Sequence, residues 1–292
     1  MSDLRDRAIQ IYDAFTHEHR DRRTLLRQMA VLAGSVAAAE TLIAGIAASP
    51  AAAAITQPDD KRLKTRKGAH ILPDGKNING YFAVRADLAH KAGAVMVIHE
   101  NRGLNAHIED ITRRIALEGF LAFAPDFLSD QGGTPADENA ARDLIAKVDY
   151  DSIVAEALGV IGMLKRIGGA NGKVGTVGFC WGGGLVDRVA VAAGGALAAA
   201  VPYYGPAPEP AEAVKVKAAM LLHYAGKDTR VNSTGAPWAA ALEAAGKDVQ
   251  AYTYEGVDHA FNNDTSVERY NAPAATLAWQ RTIAFFHAHL DT

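Results

Sequence analysis

Short apolar runs recur through the body of the chain, and each is separated from the next by a segment long enough for a helix. Such runs, nearly free of charge, are typical of strands buried on both faces of a sheet. They cover Ala94–His99, Phe120–Ala124, Lys173–Phe179, Ala198–Tyr204, Ala218–Tyr224 and Val249–Tyr254. Helices are predicted over Ile108–Glu118, Glu138–Lys147, Ser152–Arg166, Gly183–Ala193, Pro237–Ala245 and Ala274–His289. The alternation predicts an α/β fold with a mostly parallel sheet flanked by helices, and ligands bind such sheets at the carboxyl ends of the strands.

Composition limits the classes of protein that fit. The 292 residues suit one α/β domain over residues 59–292 with an extension over residues 1–58. A net charge of −3 and the lack of a basic run in the body give no electrostatic case for nucleic acid. The single cysteine excludes an internal disulfide and a thiolate zinc site.

The extension has the pattern of a leader segment. Arg22 and Arg23 precede an Ala-rich apolar run, and an Ala-x-Ala stretch follows near residues 49–54. This order resembles a twin-arginine export signal, which predicts a periplasmic protein. The alternative is an amphipathic helix that stays attached to a cytoplasmic protein, for example as an oligomer contact. Glu40 interrupts the apolar run, so no stable membrane span is predicted.

The only cysteine lies in "GFCWG", residues 178–182, between a predicted strand and a predicted helix. This is the context of a G-x-S-x-G nucleophile elbow with cysteine in place of serine. The sharp turn needs small flanking residues, and the helix N-terminus favours a thiolate at Cys180. The alternative is a buried structural cysteine in a close-packed turn.

A thiol nucleophile needs a base and a group that orients the base. Asp228 follows the strand Ala218–Tyr224, and His259 follows the last strand. Nucleophile, acid and histidine thus occur in the chain order of the α/β-hydrolase triad. Asp258 is a competing acid, but its adjacency to His259 makes a bond to the ring Nδ1 awkward.

Metal and phosphate sites are not predicted. The segment "HENRGLNAHIED" contains His99, Glu100, His107 and Glu109, but these lack the HExxH spacing that puts two imidazoles on one helical face. Neither GxGxxG nor GxxxxGK[ST] occurs around the elbow. The chemistry predicted here therefore needs no cofactor.

The same segment has a role in acyl transfer. It follows the strand that precedes the oxyanion loop in an α/β-hydrolase, so the backbone N–H groups of Asn101 and Trp181 are candidate oxyanion donors. Glu100 is expected to reach toward Cys180.

In order, Glu100 and the motifs "FLAFAPDFL", "GKVGTVGFCWGG", "AVPYYG", "HYAGKD" and "YEGVDHAF" resemble the dienelactone hydrolase (carboxymethylenebutenolidase) family over residues 61–290. The resemblance implies a small α/β-hydrolase fold. It also implies that Cys180 is the nucleophile, His259 the base and Asp228 its orienting acid, while Glu100 holds the resting thiol.

The chain departs from the family where two arginines grip the substrate carboxylate in dienelactone-cleaving members. Asp130 follows the "APD" strand end, and Asn262 and Asn263 follow the catalytic histidine. Arg102 is the nearest cationic substitute, and the alternative is a surface arginine paired with Glu109 or Asp110.

The sequence therefore predicts a carboxylic ester hydrolase that acts on a small ester or lactone through an acyl-enzyme. Its expected pocket residues are Trp181, Tyr203, Tyr204 and Phe261. One alternative is a Glu–Cys thiol enzyme that acts on reactive carbonyls, and another is a catalytically silent binding scaffold. The natural substrate, and whether the protein is a monomer or a homo-oligomer, do not follow from the sequence.

Overall fold

A computed structural model describes residues 2–17, 20–47 and 54–291. Within this part of the chain, eight strands form one sheet: β1 (Leu63–Ile71), β2 (Asn77–Arg85), β3 (Ala92–Ile98), β4 (Leu121–Pro125), β5 (Ala170–Phe179), β6 (Ala199–Tyr203), β7 (Ala219–Ala225) and β8 (Val249–Tyr254). Their spatial order is β1-β2-β4-β3-β5-β6-β7-β8. Strands β3 to β8 pair in parallel, so the predicted mostly parallel α/β sheet is confirmed.

Strands β1 and β2 were not predicted. They pair antiparallel with each other, and β2 pairs antiparallel with β4. Strand β1 reads "LKTRKGAHI" and is exposed along most of its length. Because it lies at the sheet edge, it lacks the continuous apolar run that identified the buried strands.

Six helices accompany the parallel strands: α4 (Ala106–Leu117), α5 (Glu138–Ile145), α6 (Tyr150–Leu164), α7 (Trp181–Ala192), α8 (Thr229–Ala244) and α9 (Ala272–Leu290). Each matches a predicted helix, but α8 begins eight residues before the predicted start at Pro237. The earlier start is stabilised by Asp228, whose side chain accepts a hydrogen bond from the Val231 N–H at 3.1 Å. The strand and helix boundaries therefore put Cys180 and Asp228 directly after β5 and β7.

The N-terminal extension is helical: α1 (Ser2–His17), α2 (Arg22–Ala33) and α3 (Val36–Ile46). These helices share a small apolar cluster of their own, which contains Ala8, Ile9, Tyr12, Phe15, Leu25, Met29, Ala39 and Ile46. Arg22 and Arg23 are exposed in the first turn of α2. The predicted Ala-x-Ala stretch lies almost entirely outside the described residues, and removal of the extension on export stays a prediction.

Among the described helices, none by itself has the length and apolar character to cross a bilayer. Helices α2 and α3 meet that criterion only when taken together, and they are bent by 109° with respect to each other.

Candidate active site

Cys180 lies in a strained turn between β5 and α7. Its φ of 56° and ψ of −115° lie in a region that residues with a side chain rarely adopt. Such a conformation costs about 1–3 kcal/mol and persists only where the surrounding structure enforces it. The turn places Cys180 at the N-terminus of α7, where the helix dipole favours negative charge.

The glycines on either side of Cys180 make this turn possible. A Cβ on Gly178 would lie 2.4 Å from the carbonyl oxygen of Gly182. A Cβ on Gly182 would lie 2.4 Å from the carbonyl oxygen of His99, at the end of β3. Neither position can accept a side chain unless the backbone moves, because real Cβ atoms do not approach so closely. The predicted reason for the two glycines thus agrees with the packing around the elbow.

His259 and Asp228 meet although they are 31 residues apart. The Nδ1 of His259 lies 2.5 Å from Oδ2 of Asp228, and both side chains are buried. The other carboxylate oxygen of Asp228 caps α8, which fixes the carboxylate in place. The competing acid Asp258 instead faces Arg5 at 3.2 Å and Lys227 at 3.9 Å.

The electrostatics of this group favour a charged imidazole. Burial lowers the pKa of His259, but the charges of Asp228 and Cys180, with hydrogen bonds to both, raise it to about 10. Burial likewise raises the pKa of Asp228, yet the positive charge of His259 brings it below its usual range. These influences together favour the protonated imidazolium form of His259, between the Asp228 carboxylate and the sulfur of Cys180. The three residues are brought together as the sequence predicted.

Glu100 and Asn101 follow β3 and border the same small cavity as Cys180 and His259. The Oε2 of Glu100 accepts a hydrogen bond at 2.8 Å from Nδ2 of Asn263. Its buried Oε1 has no hydrogen-bond partner among the described residues. Asn263, which stands near a position of a family arginine, therefore holds Glu100 beside the thiol. No local sequence pattern predicts this contact, because it joins loops 163 residues apart.

The backbone groups predicted as oxyanion donors belong to two residues near Cys180. Asn101 and Trp181 line a cleft together with Cys180, and Trp181 is the first residue of α7. The Trp181 ring stacks on His99 with centroids 5.3 Å apart. His99 in turn receives a hydrogen bond on Nε2 from the Phe127 N–H at 3.3 Å. His99 is therefore a structural residue that supports the elbow.

Arg102 is not a surface residue. Its side chain is buried, one end of the guanidinium pairs with Glu138, and the other donates to the Tyr12 hydroxyl at 2.5 Å. The expected alternative partners are engaged elsewhere, Glu109 with Lys67 at 2.6 Å and Asp110 with the Thr56 N–H at 2.7 Å. Pairing of Arg102 with Glu109 or Asp110 is therefore wrong.

The expected aromatic pocket residues differ in position. Tyr203 is fully buried, and its hydroxyl lies 2.7 Å from that of Thr282 in the core. Phe261 is also fully buried, and its ring packs against Tyr204 at 5.5 Å between centroids. Tyr204 packs edge-on against the ring of His259, with centroids 5.1 Å apart. Of these three aromatic residues, Tyr204 therefore contacts His259 of the candidate triad, while Tyr203 and Phe261 lie behind Tyr204.

A cleft of about 580 Å³ leads to Cys180. Its walls include four arginines that the sequence analysis did not assign to this site: Arg20, Arg22, Arg142 and Arg230. Acidic residues also line it, among them Asp21 and Asp137. No cluster of three or more potential metal ligands occurs in the part of the chain described above. The cleft has the size of a small-molecule site next to a thiol and an imidazolium.

Comparison with known proteins places this site in a family. The profile of the dienelactone hydrolase family matches residues 78–290. A protein of Escherichia coli K12 named "Putative carboxymethylenebutenolidase" is 32% identical over 259 residues, which cover 82% of this chain and 93% of the relative. "Protein usf" of Aquifex pyrophilus is 33% identical and covers 74% of this chain and 96% of its own length.

Solved structures agree with these relatives. The crystal structure of "Putative Dienelactone Hydrolase" from Klebsiella pneumoniae subsp. pneumoniae MGH 78578 superposes with a TM-score of 0.70 at 29% identity, covering 78% of this chain and 99% of that one. A dienelactone hydrolase from Anabaena variabilis ATCC 29413 superposes with a TM-score of 0.62 over the same shares at 16% identity, which supports the fold alone. The predicted α/β-hydrolase fold is thus confirmed. The chain belongs to the dienelactone hydrolase family and is a carboxylic ester hydrolase.

Proposed function

We propose that the protein hydrolyses a small ester or lactone through a thioester intermediate on Cys180. The observation that carries the proposal is the buried Asp228–His259 pair, with a distance of 2.5 Å, next to a cysteine that lines a cleft. An imidazolium beside a sulfur favours the thiolate, which is the nucleophilic form of cysteine.

The first half of the reaction forms the acyl-enzyme. The thiolate of Cys180 attacks the carbonyl carbon, and the electron pair of the C=O bond moves to oxygen. The backbone N–H groups of Asn101 and Trp181 stabilise this oxyanion, each by about 3 kcal/mol. The intermediate collapses as the C–O bond to the leaving group breaks, and His259 donates its Nε2 proton to the leaving alkoxide. In a lactone the alkoxide stays tethered to the acyl group.

The second half regenerates the enzyme. Neutral His259 takes a proton from a water molecule, and the resulting hydroxide attacks the thioester carbonyl. Collapse of this second intermediate expels the Cys180 thiolate and releases a carboxylic acid, which ionises. Asp228 keeps His259 oriented in both halves, so the same Nε2 gives and takes the proton.

Glu100 has a positioning role in this scheme. Its Oε1 is buried without a hydrogen-bond partner among the described residues, and its Oε2 is held by Asn263. A carboxylate in this place can accept the thiol hydrogen of Cys180 whenever the cysteine is protonated and His259 is neutral. The same thiol can pass that proton to His259, which gives the thiolate–imidazolium pair that attacks the substrate.

The test uses esters and lactones of graded size against wild type and Cys180→Ala. We expect ester turnover in wild type, and trapping of an acyl group on Cys180 that mass spectrometry of peptides detects. Asp228→Asn should lower kcat/KM by about 10²–10⁴-fold, which is the usual contribution of a positioned acid–base group. Asp258→Asn is the matched control and should keep most of the activity. A wild type inert toward all esters and lactones, or full activity of Cys180→Ala, would overturn the proposal.

A further inference from the structure

We propose that helix α1 is a permanent wall of the substrate cleft and that Phe15 sets the size of the group that reaches Cys180. This inference rests on the proposed function, because that function identifies the cleft as the substrate site. It assigns a role in substrate selection to a segment whose sequence resembles a leader that is cut away.

Two buried arginines of the catalytic domain are partnered by α1. Arg269 donates from Nη1 to Oδ1 of Asp13 at 3.3 Å, and its side chain is only 7% exposed. Arg102, equally buried, donates to the Tyr12 hydroxyl. Among the described residues, Asp13 is the only carboxylate paired with Arg269. Loss of α1 would remove the carboxylate that pairs with Arg269 at the edge of the candidate active site.

A second set of contacts fastens the outer end of α1. Arg5 pairs with Asp258 at 3.2 Å and with Glu268 at 3.1 Å, and Asp6 pairs with Lys227 at 3.1 Å. A cation of α1 thus faces two carboxylates of the α/β domain, and a carboxylate of α1 faces a lysine of that domain. Each such exposed pair is weak, but together they fix the helix along the loop that carries His259.

The end of the extension is fastened as well. The Ser266 hydroxyl donates to the carbonyl oxygen of Ile46 at 2.7 Å, and the Glu268 N–H donates to that of Gly45 at 3.2 Å. Beyond the undescribed residues 48–53, the Thr56 N–H donates to Asp110 and its carbonyl accepts from Arg113 at 2.8 Å. The extension is therefore attached on both sides of the predicted cleavage region.

The C-terminal end of α1 contributes directly to the cleft. Phe15 and Thr16 line the cavity that leads to Cys180. The guanidinium of Arg142 lies 4.1 Å from the centre of the Phe15 ring, which fixes the ring as part of the wall. Thr16 also borders a second cavity, of only about 20 Å³, which Cys180 and His259 line as well. The carbonyl oxygen of Thr16 accepts a hydrogen bond from Nδ2 of Asn101 at 3.4 Å. Helix α1 thus fills the space above His259 and leaves the larger cleft as the approach to the thiol.

The test uses the full chain and its only thiol. Cys180 is alkylated with iodoacetamide, which is small, and with a pyrene maleimide, which is bulky, and the two rate constants are compared as a ratio. We expect Phe15→Ala to raise the bulky-reagent rate by about tenfold relative to iodoacetamide, the scale on which a pocket discriminates by size. Phe15→Trp should lower the same ratio. Gln10→Ala, an exposed position on α1, is the control and should change neither rate.

Loosening the attachment of α1 should have a related effect. In the double variant Tyr12→Phe with Asp13→Ala, both buried arginines lose an α1 partner, and we expect the rate ratio to rise as it does for Phe15→Ala. Thermal melts identify any variant that fails to fold, in which case Phe15→Trp still decides. Unchanged ratios in Phe15→Ala and Phe15→Trp, with intact melts, would overturn the inference.

Two further readouts separate this inference from the proposed function. If wild type hydrolyses esters, Phe15→Ala should shift the optimum of kcat/KM toward bulkier acyl groups. If no ester is hydrolysed but the alkylation ratios respond as expected, the proposed function fails and the wall remains. Intact-mass measurement on protein from its native cells tests whether α1 is retained. A chain that starts near residue 55 would show that α1 is removed and would overturn this part of the inference.

Discussion

The carboxylate of Asp228 has two roles: it caps α8, and it pairs with His259. Replacement with asparagine separates these roles. Asparagine caps helix N-termini as well as aspartate does, so Asp228→Asn should preserve the start of α8. The same change removes the negative charge 2.5 Å from His259. Its effect on stability therefore reports the ionic pair alone, without a change in side-chain size.

The expected magnitude follows from the pKa of His259, which lies at about 10 in the folded protein against an ordinary value of 6.5. This difference is worth about 5 kcal/mol, because each pH unit corresponds to about 1.4 kcal/mol. Part of it belongs to Cys180, so we expect Asp228→Asn to lower the free energy of unfolding by about 3–4 kcal/mol near pH 6.5, within the range for breaking a buried pair.

The pH dependence has a definite sign. A histidine whose pKa is raised on folding adds stability that is complete below its unfolded pKa of 6.5 and disappears as the pH rises through about 10. The difference between wild type and Asp228→Asn should therefore shrink steadily from pH 6.5 to pH 10. Without the carboxylate, burial becomes the dominant influence and lowers the pKa of His259.

Urea unfolding followed by tryptophan fluorescence, at several pH values across this window, measures the difference. Asp258→Asn is the control, because it removes a neighbouring carboxylate whose partners, Arg5 and Lys227, are more exposed than His259. If Asp228→Asn lowers the free energy of unfolding by less than about 1 kcal/mol near pH 6.5, the pair has only the strength of a surface pair and the reasoning is refuted. A decrease that stays constant as the pH rises would refute it as well.

Three other predictions concern the elbow and its neighbours. Cys180→Gly should be more stable than Cys180→Ala by about 1 kcal/mol in urea unfolding, because glycine tolerates the φ of 56°; a more stable alanine variant would contradict the strain. Gly183→Ala should lower the free energy of unfolding by at least about 3 kcal/mol or prevent folding, because its Cβ would lie 2.4 Å from the Tyr203 carbonyl oxygen. Gly195→Ala is the control: its Cβ would have open space around it, so this variant should melt near wild type. Tyr204→Phe should leave the melting temperature unchanged or raise stability by about 1 kcal/mol, because the buried Tyr204 hydroxyl has no hydrogen-bond partner among the described residues; a clear loss would mean that the hydroxyl is satisfied.

Features set by local pattern could be predicted from the sequence. Most of the six parallel strands contain continuous apolar runs, and the glycines around Cys180 mark a strand-to-helix turn. Because both Asp228 and His259 follow strands of the same parallel sheet, their approach to Cys180 follows from topology. Strand β1 could not be found in this way, since its exposed residues do not alternate clearly with buried ones.

Contacts between distant loops could not be predicted. The Asn263–Glu100 bond and the Arg5–Asp258 pair join residues 163 and 253 positions apart, and nothing in the local sequence of either partner encodes the other. Tyr203 shows a second limit. It is the last residue of β6, and its hydroxyl faces Thr282 in the core, whereas Tyr204 lies just beyond the strand with a φ of 38°, so the two neighbouring side chains diverge. Without the pairing of the sheet, the sequence does not tell which of the two tyrosines approaches the histidine.

The cationic outer strand β1 has a consequence for assembly. It borders solvent at one margin of the sheet and displays Lys64, Arg66 and Lys67, all exposed. If two molecules joined there by continuing the hydrogen-bond ladder, these ammonium and guanidinium groups would be set against those of the second molecule. Repulsion between like charges across paired strands opposes such pairing and therefore protects the exposed edge of the sheet from edge-to-edge aggregation.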